Sequence, residues 1–398
     1  AATKATPELN ALRLKLQSDY GRAVAWLRGF GADETKAAFA RAKELAVVAS
    51  QSSERAATHY GVWVGHLVRA EMSLARETAE TFLSEMKGGG PSALLATAHR
   101  CLGMTAWLQG DYGVSRANLE AAIAMSDADR EREGRKIFGQ DTSIIATSYL
   151  AEVMWQIGEA ARARELAIEA VQRAEASGHL PTQVNAIDQV AILEVARGDV
   201  EAARPLAERM GQLASGPGLT LFSSSAALIL SWCDARSNGV ADSAKRMRAA
   251  IEEYTRPGSE ILHPLYLGRL AELEADGPNA SDALATVDDA LGYSRSSGEK
   301  WTDPLLHRIR GDILAKIVPE NRALAEQAYL SAFRVAERQG ARSFALQAAL
   351  RLSHLYRANG RACEARQRLE AAVTGLRPAP QLTEVDEARE LLSALADG

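Results

Sequence analysis

A repeat of about 40 residues constrains this chain more than any other feature. Gly178, Gly218, Gly258, Gly298 and Gly340 follow one another at steps of 40, 40, 40 and 42 residues. A second series, mostly small residues, runs Ala75, Ser115, Ala163, Ala203, Ala244, Ala283, Ala325 and Ala365. A third lies seven residues further on: Phe82, Ala122, Ala170, Met210, Ile251, Ala290, Ala332 and Ala372. Positions seven apart share one face of a helix, about two turns apart. Small side chains there let a neighbouring helix approach closely. Units of this length and pattern stack as helical hairpins, so the expected fold is an all-α solenoid.

Composition narrows the function classes. The 398 residues are 47% apolar and 24% charged, which suits a folded chain rather than a disordered one. Net charge is −5, which argues against a generally basic nucleic-acid binder. No run approaches eighteen apolar residues, and Ala1 to Asn10 holds no hydrophobic signal core, so neither a membrane span nor a secretory leader is expected. Cys101, Cys233 and Cys363 are far apart and lack metal-ligand spacing. A disulfide or zinc framework is not expected, and the cytoplasm is the expected compartment.

Leu95 to Ser126 is the clearest unit. Its core reads Leu102-Gly103, then Gly110-Asp111-Tyr112, then Ser115, Leu119 and Ala122. This resembles the tetratricopeptide repeat, with Leu-Gly in the first helix, Gly-x-Tyr at the turn and two small residues in the second. The turn chemistry agrees, because Gly110 can end one helix in the left-handed conformation and Asp111 can cap the next. Similar turns stand at Gly158-Glu159, Gly198-Asp199 and Gly360-Arg361, and looser ones at Asn238-Gly239, Gly277-Pro278-Asn279 and Pro319-Glu320-Asn321. The expectation is a right-handed superhelix of about nine hairpins, closed by a capping helix at roughly Thr383 to Ala396. One solenoid domain spans 1–398, interrupted by a charged insertion at about 127–140.

Longer strings extend the resemblance. Ala37-Ala38-Phe39-Ala40-Arg41-Ala42, Phe138-Gly139-Gln140-Asp141 and Gly298-Glu299-Lys300-Trp301 with Leu306-His307-Arg308-Ile309-Arg310-Gly311 are three of them. Ala341-Arg342-Ser343-Phe344 with Leu355-Tyr356-Arg357 and Gly360-Arg361 adds to them, as does Thr383-Glu384-Val385-Asp386-Glu387-Ala388. Together they resemble the C-terminal repeat region of bacterial proteins that join a class III adenylate cyclase to a predicted signal-transduction ATPase. Similar long-period solenoids occur in MalT-like activators. The resemblance implies a regulatory arm beside a nucleotide-handling engine, and it does not place the engine in this chain.

The residues agree that the engine's motifs are missing. No Gly-x-x-x-x-Gly-Lys-Ser/Thr loop is present, and Gly88-Gly89-Gly90-Pro91-Ser92 reads as a connector. No strand run carries the metal-binding aspartates of a cyclase. Asp288-Asp289 diverge by about 100° on a helix and read as a solvated face. His59 and His66 lack a third ligand, and Ser223-Ser224-Ser225 lacks a nucleophile elbow and reads as small-residue packing. Eight arginines between Arg334 and Arg368 stand against two glutamates; ion-paired helix faces are the favoured reading, and an acidic partner the other. No catalytic residue, metal or cofactor is expected.

What remains is the concave groove, lined in tetratricopeptide superhelices by first helices. Counting along the repeats places Arg100 and Trp107 there in the third hairpin, Glu152 and Trp155 in the fourth, and Asn185 and Asp188 in the fifth. In the ninth, Gln347, Leu350, His354 and Arg357 point inward. Trp107 and Trp155 each precede a turn glycine by three residues, as Trp26 precedes Gly29. They are expected either to recognise a partner or to fill the gap between hairpins. The expected partner is a protein or peptide, including the ATPase or cyclase part of a parent protein; a small-molecule effector is the alternative. An open charged trough would favour the scaffold, and an apolar cavity with converging polar groups the sensor.

Overall fold

In a computed structural model, residues 6–46, 52–89, 92–216, 218–238, 243–277, 280–380 and 382–396 are described. They form twenty α-helices and no strand. The first four hairpins are α1 (Pro7–Arg28) with α2 (Asp33–Ala46), α3 (Ser52–Val68) with α4 (Met72–Met86), α5 (Ala93–Leu108) with α6 (Tyr112–Ala124), and α8 (Thr142–Gln156) with α9 (Ala160–Ser177). Helix α7 (Ala128–Phe138) is the charged insertion between the third and fourth. The fifth to seventh hairpins pair α10 (Leu180–Arg197) with α11 (Val200–Leu213), α12 (Thr220–Asn238) with α13 (Ser243–Thr255), and α14 (His263–Ala275) with α15 (Ala280–Ser297). The eighth and ninth pair α16 (Asp303–Ile317) with α17 (Arg322–Gln339) and α18 (Arg342–Ala358) with α19 (Ala362–Val373). Helix α20 (Glu384–Ala396) caps the end, completing a right-handed, tetratricopeptide-like superhelix.

Local chemistry sets these boundaries. Ser92, Asp111, Asp127 and Asp199 accept hydrogen bonds from the first free amides of α5, α6, α7 and α11. The periodic glycines Gly178, Gly258, Gly298 and Gly340 adopt positive φ where second helices end. Seven of the eight positions of the small-residue series, Ala75, Ser115, Ala163, Ala203, Ala283, Ala325 and Ala365, are buried, and Ala244 is half-buried. Of the turns read from sequence, Gly239, Pro278 and Asn279 lie outside the described residues, as do Gly90 and Pro91 of the glycine cluster.

The superhelix is wound so tightly that hairpins five apart touch. The last carbonyls of a helix lack intrahelical partners, and the first amides before a helix lack acceptors. Here one set satisfies the other across the superhelix. The Glu260 and Ile261 amides, just before α14, donate to Val68 O at the end of α3 at 2.8 and 3.0 Å. The Lys300 and Trp301 amides, just before α16, donate to Leu108 O at the end of α5 at 2.7 and 3.1 Å. Ser343, opening α18, donates its hydroxyl to Trp155 O in α8. The turn of the first hairpin meets the connector before the seventh so closely that a Cβ on Gly31 would stand 2.1 Å from Gly258 O.

This winding changes what the inner surface is. Helix α7 packs against α3, α5 and α8, which are first helices, and so covers the inner face of the second to fourth hairpins. Phe138 anchors it among Tyr60 and Phe82, and Arg22 of α1 donates to Ile137 O at 2.9 Å.

Candidate functional site: an arginine-lined trough

The residues expected to line an open groove in the third and fourth hairpins are buried, which corrects that expectation. Trp107 lies 4.6 Å from the Trp301 ring and edge-on to Tyr149. Trp155 stacks edge-on with Phe344 of the ninth hairpin. Both fill the junction between hairpins five apart. Arg100 is sealed beneath the α7 connection, where Nη1 donates to Gln140 Oε1 at 3.0 Å and the guanidinium lies 5.4 Å from the Tyr60 ring centroid. Glu152 accepts from Gln189 Nε2 at 3.2 Å, and burial pushes its carboxyl well above the usual carboxylate range.

Asn185 and Asp188 are half-buried on α10. Asp188 accepts a 2.6 Å hydrogen bond from Ser225, and burial among Tyr149, Tyr254 and Tyr266 raises it to about 7. On α18, His354 pairs with Glu387 of the cap at 3.1 Å, and Arg357 is exposed. The structure therefore splits the eight candidates into an interior set and a set at the capped end. The Trp26 side chain is outside the described part. His59 and His66 pair with Glu85 and Glu71, and several of the clustered arginines are ion-paired: Arg361 with Glu326 and Glu364, Arg366 with Glu370.

An inner recess of about 270 Å³ is open, with a predominantly polar lining. It lies where the turn of the fifth hairpin, Arg197-Gly198, faces α20, the register at which the five-hairpin seal would come next. Arg269 supplies the donors instead. Its Nε and Nη2 donate to Val195 O at 2.9 and 2.5 Å, and Nη2 also to Ala196 O at 2.9 Å. The fixed fork of a guanidinium suits this double capture of helix-end carbonyls.

From Arg269 an alternating ladder crosses three first helices. Glu272 bridges Arg269 at 2.5 Å and Arg308 at 3.2 Å, and Asp312 bridges Arg308 at 2.5 Å and Arg351 at 3.2 Å. Burial raises Glu272, but Arg269 and Arg308 outweigh it and hold the carboxyl at about 2. Trp232, with its ring 5.7 Å from the Arg269 guanidinium, forms another part of the lining. Its buried Nε1, Arg308 Nε and Gln347 Oε1 have no hydrogen-bond partner among the described residues. The acidic first turn of α20 closes the far side, where Gln347 donates to Glu384 at 2.6 Å.

Gln347 and Leu350, expected to face inward, do line this trough. Sequence reasoning missed its arginines, although a signal was present: Arg269, Arg308 and Arg351 follow Gly258, Gly298 and Gly340 by eleven, ten and eleven residues. A second recess, mostly apolar and about 510 Å³, lies on the outer side between α9, α10 and α11, lined by Ala167, Ile168, Val171, Val190 and Leu193. Among the described residues, no helix is long and apolar enough to cross a membrane, and no group of three His, Cys, Asp or Glu side chains is placed to hold a metal ion.

No family model matches the chain. An uncharacterized protein of Rhizobium meliloti (strain 1021) is 24% identical over 294 residues, covering 73% of this chain, which spans 28% of that relative's length. The structure of Rap protein complexed with Competence and Sporulation Factor overlays with a TM-score of 0.60 at 11% identity, over 98% of this chain and all of that one. The human IFIT1 dimer with PPP-AAAA overlays at 0.45 and 14% identity, covering 92% and 86% of the two chains.

Proposed function

We propose that this chain is a protein-interaction module, the regulatory arm of a larger bacterial signalling protein resembling the cyclase-linked ATPases. One observation carries the reading: the inner face presents an open trough lined by paired charges. Its ladder presents paired charges in fixed positions, and such surfaces give specificity and orientation more than raw affinity. The partner is a polar segment of the parent protein's nucleotide-handling part. The shared fold adds one point of support, because Rap holds Competence and Sporulation Factor on the same kind of scaffold.

A photo-crosslinking residue at Arg351 in the full-length protein tests this. Crosslinks to a segment outside the solenoid support the proposal, and crosslinks confined to α18 and α20 overturn it. On this reading the chain alone neither hydrolyses ATP nor makes cyclic AMP. Turnover that disappears with a substitution inside residues 1–398, contaminants excluded, counts against it. The outer apolar recess supports a second reading, a small-molecule sensor, because about 510 Å³ falls within the range of ligand pockets. A ligand protecting Ile168 and Leu193 from exchange would favour that reading.

A further inference from the structure

Helix α1 carries an apolar stripe that solvent reaches along its whole length. Leu12 is 53% exposed, Leu16 61%, Tyr20 59% and Leu27 78%. With Ala23, also exposed, they recur at steps of 4, 4, 3 and 4, which draws one line along a helix. Isolated exposed leucines need no explanation, but a continuous stripe does.

The repeat itself identifies what this face meets elsewhere. In the first hairpin Gln17 bonds to the second helix at Ala38 O, and in the third His99 bonds to the second helix at Asn118. Aligned on that pair, Leu12, Leu16, Tyr20 and Ala23 correspond to Leu94, Ala98, Leu102 and Thr105 of α5, all buried. Leu27 corresponds to Gln109, which accepts from Arg76 of α4, the second helix of the preceding hairpin, at 3.0 Å. One repeat later the Tyr20 position is Leu150 of α8, which shares a recess with Ile123 and Ala124 of the preceding α6. Thr105 also accepts from Trp63 of α3 at 2.9 Å, so this face lies against the hairpin before it, with the second helix meeting it at Gln109 and Leu150.

The other end of the solenoid is finished differently. Helix α20 buries Val385, Ala388, Leu391 and Leu395 and turns Asp386, Glu387, Arg389 and Glu390 to solvent. A polar outer face is what a terminal repeat needs, whereas the outer side of α1 carries this apolar line between Arg13 and Lys15.

We propose that α1 is an interior repeat helix, and that its stripe seats the second helix of a further repeat hairpin of the same polypeptide. Area favours this over a second copy. A 22-residue helix is about 33 Å long, so an apolar face about 10 Å wide offers on the order of 300 Å². A stable dimer needs roughly 800 Å² from each partner. A hairpin linked in cis needs far less, because the linkage supplies a high effective concentration.

Hydrogen exchange on the 398-residue chain and on its natural full-length product tests the proposal. In the chain alone, expected to sediment as a monomer, amides around Leu16 and Tyr20 are expected to exchange fast. In the full-length product they are expected to slow at least about tenfold, as for a packed helix. Leu16→Glu should leave the melting of the chain alone unchanged and abolish the added protection in the full-length product. If that variant fails to fold, the two unsubstituted proteins decide. Equal exchange in both proteins overturns the proposal. So does a dimer of the chain that Leu16→Glu disrupts, which would give the stripe to a second copy.

Discussion

Trp107 shows how a side chain's role depends on partners far away in sequence. Its helix position is that of an inward-facing anchor, yet its ring packs on Trp301, which enters from the connector before the eighth hairpin. Trp107→Ala therefore removes core packing and is expected to cost about 3–5 kcal/mol, with Trp107→Phe costing less. Urea denaturation of both variants measures this, and a loss below about 1 kcal/mol would mean that the junction collapses around the gap. The burial was not legible in the sequence, because it depends on the superhelical pitch and no local pattern encodes that pitch. The alternative of gap-filling between hairpins was open from the start, and here the gap lies between hairpins five apart. Asp188 yields a second expectation. Its folded-state carboxyl titrates at about 7, above the ordinary value, so the folded chain binds the proton more tightly than the unfolded one. The resulting stability is present at low pH and is lost as pH rises from about 4 to about 7. Asp188→Asn keeps the Ser225 hydrogen bond and should lose less stability than the unsubstituted chain between pH 5 and pH 8. Parallel profiles would assign the titration to another group.

At the scale of elements, helix identity and pairing were legible and helix placement was not. The small residues at seven-residue spacing mark second helices because only close helix approach needs them, and all but Ala244 and Ala372, which are half-buried, are buried as that reasoning requires. Asp127 to Gln140 reads as a charged insertion from composition, but nothing in it says that α7 lies on the inner face. That placement follows from Phe138 finding Tyr60 and Phe82. Strings that carried the family resemblance, Phe138 to Asp141, Gly298 to Trp301 and Ala341 to Phe344, fall largely on this anchor and on the seals between hairpins five apart. The ladder of the trough is likewise a property of helices in array. Glu272 sits between Arg269 and Arg308, both largely buried, so removing its charge leaves two guanidinium groups facing each other. Glu272→Gln is expected to destabilise the chain by about 3 kcal/mol, as when one partner of a buried ion pair is lost. Chemical denaturation checks it, and a neutral result would mean that Asp312 or solvent takes over both arginines.

For the whole molecule, the spacing of the seals decides which inner surface is accessible. Three junctions between hairpins five apart are closed by helix-end hydrogen bonds, at Val68, Leu108 and Trp155. At the first junction Gly31 meets Gly258 backbone to backbone, and this makes it the most specific to break. Gly258 adopts φ +78, and any Cβ on Gly31 would meet the Gly258 carbonyl oxygen and carbon at 2.1 and 2.4 Å. Backbone atoms cannot swing aside as a flexible side chain would, so Gly31→Ala must separate the first hairpin from the connector before the seventh. Both helices of that hairpin keep their own hydrogen bonds, so circular dichroism should be unchanged. The radius of gyration from solution scattering should rise, and amides near Gly29 and Gly258 should exchange faster, while those at Lys300 and Trp301 keep their protection. Loss of protection at all the junctions together would mean that the superhelix closes cooperatively. Unchanged scattering and exchange would mean that the other three seals hold the winding without the first.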